Sequence, residues 1–332
     1  MTTVNATVMS LADWAKKQGP DGGIMETVEM LSQINDVTVD MPFREGNLPT
    51  GHQYNVRTGL PTVYWRIINQ GVPNSKSRTA QATDACGMLE ARSQVDQALA
   101  ELGGNISKLR LDESRPFFEA MAQEMAGTMI YGNQALAPEE FTGLAPRYSA
   151  ISGATNASHV ISGGGSGSDN SSIWLLGMGE MGLHGSFPKG SSAGVKHEDM
   201  GLQDAFDGSN NRFRAWMDHW VWKSGIVLPD WRTCVRICNV DISNLVAKAS
   251  AADLPELMIK ATHRIPRSAK SLKYYWYMNR TCLEMLDIQL RDNVSGGGQL
   301  TYENVDGLPV SSFRGIPVRI CDQLLETEAT VS

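Results

Sequence analysis

The sequence predicts a chain of the α+β class, and three segments support this prediction. Residues 112–131 place apolar side chains at helical spacing, whereas residues 49–77 and 220–241 alternate between apolar and polar side chains, as strands do. Elements of both kinds must pack together to bury their apolar faces. We therefore expect a mixed domain built from sheets and at least one long helix.

The most distinct helix is predicted at residues 112–131, a length of about 30 Å at 1.5 Å per residue. Its apolar stripe includes Met121, Met125 and Met129. Pro116 would lie in the first turn and Gly132 just past the end, positions where each residue type is tolerated or favoured. A stripe rich in methionine predicts packing against a core.

A β-hairpin is predicted between Pro49 and Ser77. Tyr54 and Val56 lie in its first run, the second run contains Val63, Trp65 and Ile67, and Gly59 and Pro61 join the two. The surrounding segment 43–80 has five basic residues and one acidic residue, hence +4, although the whole chain carries −7. Two interpretations stay open: a solvated edge hairpin, or an arm whose basic face needs an acidic neighbour.

Composition limits the classes of function. A chain of 332 residues with 42% hydrophobic and 20% charged residues is neither a disordered polyelectrolyte nor a strongly basic nucleic-acid binder. No apolar run approaches the roughly 18 residues that span a bilayer, and residues 1–10 lack a secretory pattern. We expect a cytosolic protein with no membrane contact, whose five scattered cysteines are free and buried.

The motif GMGEMG at residues 177–182 resembles a dinucleotide-binding fingerprint. A pyrophosphate site needs a helix that begins in those glycines, but Gly185, Pro188 and Gly190 follow and disfavour one. We therefore predict a strand and a turn. The histidines form no metal-binding spacing, and His197 with its acidic neighbours is interpreted as a solvated turn. The sequence predicts no enzyme activity, no cofactor and no metal site.

Other segments give coarser predictions. A stretch of glycine and serine at 163–172 predicts a flexible surface loop. The tryptophans at 216, 220, 222 and 231 suit either a stacking platform for sugars or bases or, preferably, buried strand faces. Helices are predicted at 10–19, 24–34 and 273–291, and strands at 308–328.

Several motifs occur together in an order that resembles the major capsid proteins of tailed bacteriophages. In the first half these are MPFREGN at 41–47, VYWRIINQGVPNSKS at 63–77, MIYGN at 129–133 and PEEFTGL at 138–144. The second half adds SIWLLGMGEMGLHGSFPKGSSAG, WVWKSGIVLPDWRTCVRICNVD at 220–241, WYMNR at 276–280 and SFRGIPVRICD at 312–322. The resemblance extends over nearly the whole chain, and its specificity lies in the order of the motifs.

The resemblance implies the Hong Kong 97 capsid fold, divided into five parts. These are an N-terminal arm at 1–46, an extended hairpin loop at 47–80, a peripheral domain at 81–145 with the spine helix 112–131, an axial domain at 146–289, and a segment 290–332 that returns to the peripheral sheet. An extended loop packs on an adjacent subunit, which favours the second interpretation of the hairpin.

The implied function is self-assembly into hexamers and pentamers of an icosahedral shell around double-stranded DNA. The implied partners are further copies of the chain, a separate scaffolding protein, a portal, a cement protein as an optional addition, and DNA that is contacted only loosely. The protein would be assembled in the host cytoplasm and then reside in the virion. The candidate contacts between subunits are Tyr54, Val56, Tyr64, Trp65 and Arg66, with Glu326 and Glu328 as charge partners.

Two alternatives remain at this point. The first is another virion component, such as a tail-tube, decoration or encapsulin-like shell protein. The second is a nucleotide-dependent oxidoreductase that uses the glycines of 177–182. A tube or decoration protein would be mostly β, whereas the predicted spine helix requires a mixed structure.

Overall fold

The computed structural model describes residues 9, 13, 31–102, 105–207, 209–269, 271–292, 301–305 and 308–332. Its strands are β1 (Phe43–Glu45), β2 (Gly51–Gly59), β3 (Arg78–Ala85), β4 (Gly87–Asp96), β5 (Val160–Ser162), β6 (Asn170–Met178), β7 (His184–Phe187), β8 (Val195–Phe206), β9 (Arg212–Val227), β10 (Cys234–Asp241), β11 (Lys273–Met278), β12 (Thr301–Val305), β13 (Leu308–Phe313) and β14 (Ile316–Ile320). Its α-helices are α1 (Asp36–Asp40), α2 (Gln97–Leu102), α3 (Ile106–Tyr131), α4 (Leu144–Arg147), α5 (Ile242–Ala247), α6 (Leu254–Arg264) and α7 (Arg280–Asp292).

The strands form three sheets. In the first sheet the long strand β9 pairs with β4, β7 and β8, and β1 continues beyond β7. The second sheet has the order β12-β13-β14-β11-β6-β10-β5. The third is the two-stranded hairpin β2-β3. Mixed α and β structure is therefore present, as predicted.

Strand β6 lies inside the second sheet and is buried along its whole length. Its side chains alternate between two cores: Trp174 and Leu176 pack with the spine helix, whereas Ile173 and Leu175 pack with helices α6 and α7. Because both faces are covered, the run IWLL is continuously apolar and lacks the alternation of a half-exposed strand.

The spine helix α3 begins at Ile106, six residues before the predicted start. Asn105 caps it, since its side-chain oxygen accepts a hydrogen bond from the backbone N–H of Lys108 at 3.0 Å. Pro116 therefore lies inside the helix and not in its first turn, so this part of the prediction is wrong. The predicted end at Gly132 is correct, because its N–H still bonds to Thr128 and a Cβ there would lie 2.6 Å from the Phe141 carbonyl oxygen.

The methionine stripe of α3 packs in the core, as predicted: Met121, Met125 and Met129 are buried. Towards the start of the helix, Phe117 stacks on Trp220 of β9 with ring centroids 4.8 Å apart. Trp220 is fully buried, so the preference for a buried strand face over a stacking platform is confirmed at this position. The spine helix therefore packs on the first sheet through Phe117, and Met125 and Met129 share a core with Trp174 and Leu176 of the second sheet.

The hairpin differs from its prediction in the second strand. Strand β2 pairs with β3 from Gly51 opposite Ala85 to Gly59 opposite Arg78. The alternating run at 63–67 is not a strand, because residues 60–77 form the connection between β2 and β3 and pair with no other strand. Alternation alone did not reveal that these side chains lack a sheet on which to pack.

The region predicted as one helix at 273–291 is divided into strand β11 and helix α7. The aromatic run of β11 favours a strand, and Asn279 then starts the helix by accepting a hydrogen bond from the N–H of Cys282 at 2.8 Å. The predicted strands at 308–328 stop at Ile320. Strands β13 and β14 are joined by Arg314 and Gly315, both at positive φ, as tight hairpins require.

Strand β14 pairs with β11 in the second sheet, not with the sheet that packs on the first half of the spine helix. The return of 290–332 to the peripheral sheet stays a prediction. Only the segment after β14 reaches the spine helix, where the N–H of Leu325 donates to the Tyr131 hydroxyl at 3.0 Å. The helices predicted at 10–19 and 24–34 lie largely outside the described residues. None of the described helices is long and apolar enough to span a bilayer.

Candidate assembly surfaces

The connection between β2 and β3, residues 60–77, is the most exposed apolar segment of the described chain. We call it the loop tip. Its apolar side chains include Leu60, Val63, Trp65 and Ile68, with exposed fractions of 80%, 87%, 103% and 85%. Contiguous exposed apolar surface of this kind marks an interaction site.

The hairpin is also basic. Arg57, Arg66, Lys76 and Arg78 are exposed, and none of them forms an ion pair within the described part of the chain. Arg66 donates from Nε to the carbonyl oxygen of Gln70 at 3.0 Å, inside the loop tip. These four positive charges are thus available to carboxylates from outside the subunit.

Tyr54 and Val56 lie nearer the root of the hairpin and are half-buried in their own chain. The Tyr54 hydroxyl lies 3.1 Å from Asp84 Oδ2 and 3.2 Å from the carbonyl oxygen of Leu228, either of which can accept its proton. Asp84 is also paired with Arg147 at 3.0 Å. Burial, reinforced by the charge of Asp84, raises the pKa of Tyr54 to about 12. Tyr54 therefore anchors the hairpin to the body of the subunit.

The two acidic candidates have partners inside the chain. Glu328 is buried and binds Arg236 at 2.8 Å, Tyr131 at 2.5 Å and Ser172 at 2.5 Å. Glu326 accepts a hydrogen bond from the Thr281 hydroxyl at 2.5 Å. The structure brings neither carboxylate to the hairpin, and we do not retain Glu328 as a charge partner for another subunit.

The glycine and serine segment is only partly a loop. Asn170, Ser171 and Ser172 are fully buried as the first residues of β6, so the prediction of a flexible surface loop is wrong for 170–172. The missed signal was Arg236, a charged residue within the apolar strand CVRICNV. A buried cation requires polar partners, and Ser172 and Glu328 supply them.

A second polar cluster joins the spine helix to the first sheet. Arg110 contacts Asp218 at 2.7 Å and Asp199 at 2.6 Å, and His197 contacts the same Asp218 at 2.9 Å. His197 and Asp199 lie in strand β8, so the predicted solvated turn is wrong. Arg110 had no distinctive sequence signal, because its partners are about 90 and 110 residues away.

The segment GMGEMG forms the end of β6 and the turn into β7, as predicted. Leu183 donates its N–H to the carbonyl oxygen of Gly177 at 2.9 Å, which closes this turn. In the described ranges no three His, Cys, Asp or Glu side chains are grouped so that they could hold a metal ion.

A protein-family model described as major capsid protein GP7 matches residues 19–332. The chain belongs to this family. Among solved structures, that of bacteriophage Epsilon15 is similar to it with a TM-score of 0.81 and 31% identity, covering 100% of this chain and 99% of the other. Weaker similarity extends to the capsid of a native GTA particle, at TM-score 0.45 and 8% identity, covering 69% and 99% of the two chains. Microbacterium phage Oxtober96 also scores 0.45, at 10% identity, covering 69% and 98%.

No curated protein matches the sequence. The predicted fold class and the predicted function are confirmed: the GP7-family chain is a major capsid protein of a tailed phage with a mixed fold of the Hong Kong 97 type. It is a structural component of the virion that assembles with further copies into a shell. The alternatives of a tail-tube, decoration or encapsulin-like protein are not needed.

Proposed function

We propose that this capsid protein assembles as hexamers and pentamers of an icosahedral shell around double-stranded DNA, and that the loop tip forms the main contact between neighbouring subunits. The observation that carries the proposal is the loop tip itself, whose apolar side chains are almost completely exposed. A soluble subunit with this surface gains free energy when a neighbour covers it, at about 25 cal/mol per Å².

The two large sheets support a division of the subunit. We propose that the spine helix α3 with the sheet of β4, β8 and β9 is the peripheral domain, and that the seven-stranded sheet with α6 and α7 is the axial domain. The arm then leads from residue 31 to 46 and the extended loop from 47 to about 85, where β3 ends.

Other partners follow from the chemistry of shell assembly. We propose a separate scaffolding protein and a portal, with a cement protein as an optional addition, and assembly in the host cytoplasm. The DNA is contacted loosely, since a net charge of −7 gives the subunit no overall attraction to phosphate. Shells closed by the purified 332-residue chain without any other protein would contradict the need for a scaffold.

Negative-stain electron microscopy tests assembly directly, on the full chain expressed alone and together with its neighbouring phage genes. We expect shells, or rings of five and six subunits, in the co-expressed preparation. Trp65→Ala should lower the yield of sedimenting shells about tenfold or more, since a buried aromatic side chain stabilises by roughly 1.5–3 kcal/mol. The matched control is Val246→Ala, an exposed apolar residue on α5, which should keep the wild-type yield. Monomers alone in both wild-type preparations would reject shell assembly, and unchanged shells of the Trp65 variant would reject the loop contact.

A further inference from the structure

We infer that one end of the second sheet binds the phosphate groups of the enclosed DNA. Three cations form this surface, which we call the basic end: Arg264, Lys273 and Arg314. Lys273 and Arg314 are exposed, and Arg264 is half-buried. The inference rests on the proposed enclosure of double-stranded DNA and adds the place of contact. Because the whole chain carries −7, contact with phosphate requires a local surplus of positive charge.

The sequence around the basic end is one-sided in charge. Residues 257–283 contain six Lys or Arg and no Asp or Glu. Two of the six pair with carboxylates from other segments: Lys260 with Glu256 at 2.5 Å and Arg280 with Asp322 at 2.8 Å. The partial negative charge at the end of a helix accounts for a cation at the end of α6. It does not account for the other cations of this segment.

Strand pairing brings the three cations to the same end of the sheet. Lys273 is the first residue of β11 and lies opposite Met178, the last residue of β6. Strand β14 runs parallel to β11, so the turn before β14, which contains Arg314, lies beside the start of β11. Arg314 also donates from Nη1 to the hydroxyl of Thr262 at 3.0 Å, in the last turn of α6. Arg264 ends the same turn.

The charges of the basic end are not neutralised inside the subunit. No ion pair reaches Arg264, Lys273 or Arg314 from the residues that the structure describes. Arg264 donates to the carbonyl oxygens of Ser158 and Val160, which carry no net charge. These two bonds hold the guanidinium in place without removing its positive charge.

The nearest carboxylates at this end already have cationic partners. Asp230, just before β10, pairs with Arg232 at 2.8 Å. Glu180, in the turn after β6, pairs with Arg44 at 2.9 Å. The basic end therefore keeps a surplus of three positive charges for an anion from outside the subunit.

The surface is better matched to phosphate than to an acidic protein. Every apolar side chain between residues 260 and 276 is buried or half-buried. Interfaces between proteins bury apolar and aromatic side chains at their centre, whereas phosphates are bound by Lys, Arg and hydroxyl groups. Ser268 and Ser271 are exposed between α6 and β11 and supply such hydroxyls. Three contacts per copy give a weak and salt-sensitive hold, which agrees with loosely contacted DNA.

Lysine acetylation tests the contact in particles of the unaltered protein. DNA-filled particles and particles emptied of DNA are treated with a water-soluble N-hydroxysuccinimide ester, and the modified lysines are measured by mass spectrometry. Lys273 should react about threefold or more slowly in filled particles, because a phosphate contact occupies its amine. The matched control is Lys223, an exposed lysine on β9, which should react equally in both.

Three outcomes of the acetylation experiment would overturn the inference. The first is equal reaction of Lys273 in filled and emptied particles, and the second is no reaction in either. The third is protection of Lys273 in particles that contain scaffolding protein but no DNA, which would identify an acidic protein as the partner.

A binding measurement on the unassembled full chain needs no shell, so its outcome is independent of whether the proposed assembly occurs. The anisotropy of a fluorescent DNA duplex gives the affinity between about 50 and 200 mM salt. The variant Lys273→Gln with Arg314→Gln should lower the affinity about tenfold and reduce the slope of log K against log salt by about 1.8, or 0.9 for each lost contact.

The matched control for the binding measurement is Arg92→Gln with Lys223→Gln. This variant removes the same charge from exposed residues of β4 and β9 and should keep the affinity and the slope of the unaltered chain. The basic hairpin is unchanged in both variants, so its own attraction for DNA cancels in the comparison. Equal losses in the two variants would show attraction by net charge alone and would overturn the inference, as would no loss in either.

Discussion

Arg236 and Glu328 form an ion pair inside the subunit, with Nη2 2.8 Å from Oε2 and both side chains about 5% exposed. Arg236 also donates to the Ser172 hydroxyl and to the carbonyl oxygen of Tyr148, each at 3.0 Å. Its guanidinium lies over the ring of Trp174 at 5.3 Å. The pair therefore joins the segment after β14 to strands β6 and β10 with its polar groups well satisfied.

Replacing Glu328 by Gln should destabilise the unassembled subunit by about 3–5 kcal/mol, because Arg236 would remain buried without a counter-charge. Urea unfolding measures this change. The control is Glu256→Gln, which breaks the exposed pair with Lys260 on α6 and should cost less than about 1 kcal/mol. Equal, small effects in both variants would show that the buried pair does not hold this segment.

Two glycines of the hairpin should respond differently to alanine. A Cβ at Gly51 would lie 2.1 Å from the carbonyl oxygen of Asp84, whereas a Cβ at Gly71 would meet nothing within 4 Å. Gly51→Ala should therefore force β2 and β3 apart and cost about 1–3 kcal/mol, and Gly71→Ala should change stability by less than about 0.5 kcal/mol. Thermal unfolding of the two variants makes the comparison, and similar midpoints would contradict the packing described for the hairpin root.

Tyr54→Phe tests whether the root of the hairpin is anchored through the phenol. Loss of one part-buried hydrogen bond near Asp84 should cost about 0.5–1.5 kcal/mol in the unassembled subunit. Faster hydrogen exchange at residues 78–85 should accompany the loss. Tyr64→Phe, an exposed tyrosine in the loop tip, serves as the control and should leave both quantities unchanged. A larger effect at Tyr64 than at Tyr54 would reverse the assigned roles.

The five thiols should differ in reactivity. Burial raises the pKa of Cys234 and Cys238 to about 11 and of Cys282 and Cys321 to about 12, so these thiols carry almost no thiolate at pH 8. Burial also raises the pKa of Cys86, but this thiol is only half-buried. Maleimide at pH 8 should modify at most Cys86 in the folded subunit and all five in guanidinium, as counted by mass spectrometry. Rapid modification of Cys234 in the folded subunit would disprove the packing around β10.

The sequence was most informative where a local signal and its tertiary environment agree. The spine helix ends at Gly132 as predicted, since the backbone of Phe141 and Thr128 leaves no room for a side chain there. The start was missed because Asn105, a weaker signal than Pro116, supplies the cap. The division of 273–291 into β11 and α7 was missed because the apolar residues of this segment fit both the helical spacing and the alternation of a strand. The pairing of Trp276 with Leu175 in the second sheet identifies the first part as a strand.

The candidate contacts between subunits stay a prediction. Trp65 and Arg66 were identified from the basic, aromatic hairpin, and the structure shows both exposed in the loop tip. The polar cluster around Arg110 was not predicted, because it joins residues from the spine helix, β8 and β9 that no local pattern relates. Glu328 was predicted from its charge as a partner for another subunit, whereas in the folded chain it pairs with the buried Arg236.

The start of the described arm is held by residues far along the chain. Ile34 donates its N–H to Asp322 at 2.9 Å, and Asn35 pairs with Cys321 in a β-bridge. The two sides are separated by 288 positions, so at about 5–20 residues per second a ribosome needs roughly 15–60 s to make the second side after the first. Until then this part of the chain has its contacts on the spine helix, where Gln33 donates its N–H to Glu119 at 2.9 Å and Gln123 donates to the carbonyl oxygen of Leu31 at 2.7 Å. The second anchor of the arm is therefore completed only when translation has reached the late segment, and a chain that stops before residue 321 would hold the arm on the spine-helix side alone.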